Sequence, residues 1–123
     1  MTLTKLVKTT VDALDDIKGR DILALDVRKL TSLFDKIVIA SAESARQAKA
    51  MSNNVQEKVK AQGGKVYGVE GEQVGEWVLV DLGSVVVHIM QPAVRAHYNL
   101  EELWTPPKAV RKRVAKTAAS AAK

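Results

Sequence analysis

Leu3, Leu6, Val7, Val11, Leu14 and Ile17 recur at steps of three or four residues, which puts them on one stripe of a helix. Gly19 follows as the expected left-handed cap. An amphipathic helix of this kind needs a sheet to cover. Residues 21–28 and 36–41 are short runs rich in Ile, Leu and Val, separated by the polar stretch 29–35, and predict two strands. Ser41 stands where an N-cap belongs, ahead of Ala45, Ala48, Met51, Val55 and Val59 at helical spacing, and Gly63-Gly64 closes this second helix. Residues 66–69 predict a third strand and 71–75 a loop, while 76–81 and 85–90 form an antiparallel pair around Leu82-Gly83-Ser84. Pro92 suits the first position of a short helix, and Asn99 with Glu102 three residues later has the arrangement of a reciprocally supported N-cap. Pro106-Pro107 then ends the domain.

Helix, strand, strand, helix, three strands and a helix imply a mixed sheet flanked by helices, an α/β or α+β layered domain. A chain of 123 residues is one domain's worth, and a domain this size buries about two-thirds of its extended surface. The absence of cysteine excludes disulfides and thiolate zinc sites. No 18-residue apolar run occurs, and residues 1–18 lack the apolar centre of a signal peptide, so a soluble, cytoplasmic protein without membrane attachment is expected.

The net charge of +5 changes meaning once it is mapped. All 14 acids lie at or before Glu102, while six of the 19 Lys and Arg residues follow Thr105, leaving 13 bases against 14 acids in residues 1–104. The domain is nearly neutral, and the basic character belongs to a tail, residues 105–123. Rich in Lys and Ala with few apolar residues, that tail reads as flexible or as a helix formed only on a partner. Lys108, Arg111, Lys112, Arg113 and Lys116 are its candidate RNA contacts.

Catalytic groups are scarce. His88 sits within an apolar strand, a setting that favours a structural or interfacial role over catalysis, and His97 has no partner at metal-binding spacing. No metal and no cofactor are expected. A binding surface has better material, because Trp77, Val78, Val80, Leu82, Val85 and Val87 give the strand pair apolar residues on both faces. Trp77 is the candidate hot spot, with a core tryptophan at the sheet edge as the competing reading. Asp81 doubles as a turn residue bonding local amides. Arg46 and Gln47 read as solvated, and Tyr98, Leu100, Leu103 and Trp104 as helix packing.

Residues 69–72 (VEGE), 77–83 (WVLVDLG), 85–88 (VVVH) and 98–104 (YNLEELW) occur in an order that resembles the ribosomal silencing factor family, also called RsfS or Iojap. The resemblance extends upstream through residues 18–22, 25–27, 35–39 and 44–47, so it spans roughly residues 3 to 104. Two departures are Ser84, where the family usually has Asp, and Ala42-Glu43, where it usually has Gly-Thr. The resemblance implies a sheet of about five strands related to the nucleotidyltransferase fold. It further implies a non-enzymatic factor that binds the large ribosomal subunit through a ribosomal protein of its intersubunit face and blocks subunit joining. Trp77 and Leu82 would meet that partner, with Asp81, Gly83 and Ser84 shaping the turn, and a homodimer is left open. The alternative is a nucleotide-handling enzyme of nucleotidyltransferase ancestry. Gly83-Ser84 supplies a turn for it, but no Asp-x-Asp pair follows, since Asp26 and Asp81 are each trailed two residues on by Arg28 and Gly83.

Overall fold

In this computed structural model, residues 1–98 are described. The elements run α1 (Leu3–Asp16), β1 (Arg20–Asp26), β2 (Lys36–Ser41), α2 (Ala45–Ala61), β3 (Gly68–Glu70), β4 (Trp77–Asp81), β5 (Val85–Met90) and α3 (Pro92–Tyr98). The expected mixed sheet is present, with strand order β1-β2-β5-β4-β3. β2 and β5 pair in parallel and every other neighbour is antiparallel. Asn99 with Glu102, Pro106-Pro107 and the basic tail lie outside the described residues.

Alternation along the strands divides two apolar clusters between the two faces of the sheet. Val38 and Ala40 of β2, Val78 and Val80 of β4, and Val85, Val87 and Ile89 of β5 join Leu14 of α1 and Met51, Val55 and Val59 of α2 in the larger core. Ile37, Ile39, Met90 and Val27 form the smaller one on the other face, with Leu25, Phe34, Trp77 and Val94 packed against it. Two long helices thus cover one face, while among the described residues the outer face has only short α3 and the loop after β1.

Both ends of the helices refine the sequence reading. α1 does end before Gly19, but the residue in the left-handed region is Lys18, with φ 61°. Lys18 N–H donates to Asp15 O and Gly19 N–H to Leu14 O, both at 2.9 Å, a Schellman closure. Gly19 is needed for space instead, because a Cβ there would sit 2.7 Å from Met51 Cε and 2.9 Å from Leu14 O. The N-cap of α2 is Ser44, whose hydroxyl accepts from Gln47 N–H at 3.1 Å. Ser41 is the last residue of β2, because the parallel ladder runs on to pair it with Met90. Ser44→Ala is therefore expected to cost about 1 kcal/mol of stability in urea unfolding, the usual worth of a serine cap.

Strand limits shift for similar reasons. β1 stops at Asp26 because Val27 N–H turns back to Asp35 O at 2.9 Å. β3 is a three-residue edge strand beginning at Gly68, not at 66. β2 and β5 match the predicted 36–41 and 85–90, and β4 matches within one residue.

Candidate functional site

Trp77 opens β4 at the edge of the outer face, where it is half-buried. Its indole N–H donates to His88 Nδ1 at 3.0 Å. The His88 ring lies 5.9 Å from the indole and the Tyr98 ring 4.9 Å from it, both tilted by nearly 50°. β4 and β5 pair so that Trp77 opposes Met90 and Leu79 opposes His88, which brings Trp77, Leu79, His88 and Met90 to one face. Two backbone-level ties hold this end of the strands: Gln91 N–H donates to Glu76 O and Gln91 Nε2 to Gly75 O, each at 3.0 Å. Glu70, Gly71, Trp77 and Leu79 line an open groove of about 230 Å3 beside the indole.

The reading of Trp77 as a core tryptophan at the sheet edge holds in part. One side of the ring packs on the smaller core cluster. The remainder is accessible next to Tyr98, which is 48 % exposed. His88 is 9 % exposed among Val, Ile and Met residues, and burial pushes its pKa down to about 4. It is a neutral acceptor at physiological pH.

The turn at the other end of β4 is built from the expected residues. Asp81 Oδ1 accepts from Gly83 N–H at 2.9 Å, and Leu82 N–H donates to Val85 O at 2.9 Å. Gly83 has φ 90°, and a Cβ there would meet Tyr67 Cε1 at 2.8 Å. The Ser84 carbonyl accepts from both Asp35 N–H and Lys36 N–H, tying the turn to the start of β2. Four strand steps separate Trp77 from Asp81, about 13 Å at the usual rise, so the five candidate residues do not form one cluster. Leu82 is a correction: it is 4 % exposed and belongs to the larger core under the helices, so it does not present itself to a partner.

Two residues had structural roles that sequence reasoning missed. Gln47, read as solvated, accepts from Glu43 N–H and donates to Ile17 O and Lys18 O at 2.9 and 3.1 Å, fastening α2 to the end of α1. The signal was available, since Ser44 with Gln47 three residues later is a capping-box spacing. Arg95 is buried at 9 % exposure and donates to Asp21 O at 2.7 Å and Ser41 Oγ at 2.9 Å, docking α3 at the bulge where the β1–β2 register shifts. Nothing local in sequence marks that contact.

Two of the carboxylates are occupied elsewhere. Asp26 is exposed and paired with Arg28, whose guanidinium holds its carboxyl well below the usual carboxylate range. Glu72 of the VEGE segment accepts from the buried Ser52 hydroxyl at 2.9 Å, pinning the loop before β4 onto α2. Among the described residues, no group of three or more His, Asp or Glu could hold a metal ion, and no helix is long and apolar enough to cross a membrane.

The model of a family described as "Ribosomal silencing factor during starvation" matches residues 1–123. A relative from Chromobacterium violaceum, named ribosomal silencing factor RsfS, is 52 % identical over 104 residues, 85 % of each chain. A crystal structure of a C. violaceum protein, also 52 % identical, superposes with a TM-score of 0.83 over 85 % of this chain and 87 % of that one. A mouse protein named mitochondrial assembly of ribosomal large subunit protein 1 is 34 % identical over 98 residues, 77 % of this chain and 43 % of its own length. With a family model matched from end to end, and a relative that shares half its aligned positions along with its fold, the chain belongs to the ribosomal silencing factor family.

Proposed function

We propose that the chain docks on the large ribosomal subunit through a ribosomal protein of the intersubunit face, and that its bulk there keeps the small subunit from joining. The observation that carries this reading is the outer sheet face. Among the described residues it has no long helix over it, and it presents Trp77, half-buried and in contact with His88 and Tyr98, beside an open groove. The name of the mouse relative, which refers to assembly of the ribosomal large subunit, supports the large subunit as the particle. Occlusion requires binding energy and bulk but no reacting group, so a surface built from an aromatic residue and strand edges is sufficient. Co-sedimentation with purified subunits tests partner and mechanism together. The protein should travel with large subunits alone and lower the fraction of joined ribosomes when added before mixing; unchanged joining at saturation would sink the reading.

Trp77→Ala is expected to weaken large-subunit binding by roughly 2 kcal/mol, about thirtyfold, while the variant still unfolds cooperatively. A variant that no longer unfolds cooperatively would assign Trp77 to the core alone.

The six bases after Thr105 add a second expectation. A cationic segment beside ribosomal RNA releases counterions as Lys108, Arg111, Lys112, Arg113 and Lys116 meet phosphates, with a log-log salt slope of about −0.7 per single-strand phosphate neutralised. Truncation after Thr105 should flatten the salt dependence of binding. Identical slopes for both proteins would leave the tail no part in docking.

A further inference from the structure

Trp77 has two aromatic neighbours of different standing. Tyr98 lies at the end of a seven-residue helix and is about half exposed. His88 lies on β5, which is hydrogen-bonded on both sides, to β2 and to β4. Every other residue of β5 is Val, Ile or Met. An imidazole buried in such surroundings costs free energy unless its nitrogens find partners. Among the described residues, the side-chain hydrogen bond that His88 makes is the one from the Trp77 indole. An indole nitrogen can only donate, so His88 Nδ1 must be unprotonated, and the neutral ring carries its proton on Nε2.

We propose that His88 is a positioning residue for docking: by accepting the indole proton it fixes the Trp77 ring in one orientation on the outer face, so that the ring meets its ribosomal partner already ordered. The inference rests on the docking reading given above. A tryptophan at the end of an edge-proximal strand otherwise has two side-chain torsions to lose on binding, and that loss lowers affinity. An apolar residue at 88 fills the space without orienting the ring. A residue with a side-chain carbonyl restores the acceptor.

The test uses the full-length chain with Trp104→Phe, which leaves Trp77 as the single tryptophan. Solvent exchange of the indole proton, followed by NMR, reports the hydrogen bond; co-sedimentation reports affinity for large subunits. In His88→Phe the indole proton should exchange at least about tenfold faster and affinity should fall about tenfold, whereas His88→Gln should recover most of both. In a Trp77→Phe background, which has no indole proton, His88→Phe should cost no further affinity. Unchanged exchange in His88→Phe, or losses that simply add, would overturn the proposal. The nitrogen-15 shifts of the His88 ring in the unsubstituted protein need no variant to fold, and a proton found on Nδ1 would overturn it equally. If the unsubstituted protein fails to bind large subunits, the docking reading falls, while the exchange and ring shifts still decide whether His88 orients the indole.

Discussion

Leu82→Glu is expected to abolish cooperative unfolding. Leu82 is 4 % exposed, within the core that α1 and α2 cover. Removing its side chain alone would cost roughly 2 to 5 kcal/mol, and a carboxylate in that place adds the penalty of an unpaired buried charge. Against a total of roughly 5 to 15 kcal/mol for a domain, such a loss leaves little folded population. Leu82→Met, which conserves volume, should instead stay within about 1.5 kcal/mol of the natural protein. Thermal or urea unfolding of the two variants checks the pair. A cooperatively folded Leu82→Glu protein that merely binds large subunits less well would return Leu82 to the docking surface.

Leu82 also shows where sequence reasoning stopped. The runs 36–41 and 85–90 were legible because central strands, buried on both faces, are nearly unbroken in Val and Ile, as β2 and β5 are. Their mutual parallel pairing was not, since it joins segments separated by α2 and two further strands and leaves no local mark. In β4 and just after it, Trp77, Val78, Leu79, Val80 and Leu82 all look suitable for an exposed apolar face, and only the register with β5 decides which of them turn outward. It sends Trp77 and Leu79 to the outer face and Val78 and Val80 to the core. Leu82, two places beyond Val80, goes with the core. The choice between Ser41 and Ser44 as N-cap was settled by the same nonlocal ladder, although Gln47 offered a local clue. Trp77 itself was legible as a rigid aromatic near a strand end. His88 was legible as structural or interfacial, but its role as the partner of Trp77 required knowing that residues 79 and 88 face each other across two strands.

A fall in pH from 7 to about 4 is expected to remove roughly 3 kcal/mol of stability through His88. Burial lowers its folded pKa to about 4 from an ordinary 6.5, so between those values the unfolded chain takes up a proton that the folded chain refuses. Stability is thus fully present above 6.5, declines as pH falls below it, and the loss is complete once the pH is below about 4. Among the described residues, the charged groups on this face include Glu70 of β3, paired with Leu79; Asp81, beside the β4–β5 turn; and Arg95, bonded to Ser41 and Asp21 at the opposite end. Burial rather than any of these charges accounts for the depressed value. Asp26 acts in a separate window: its carboxyl is held low by Arg28, so its contribution is present above 3.8 and is lost only as pH falls further. Urea unfolding of the natural protein and of His88→Phe across pH 7 to 4.5 isolates the effect, because groups common to both cancel in the difference. The natural protein should lose stability steadily over that range, and the phenylalanine variant should lose much less. Equal slopes would mean that His88 takes up its proton in the folded state, and that the hydrogen bond from Trp77 does not hold Nδ1 as an acceptor.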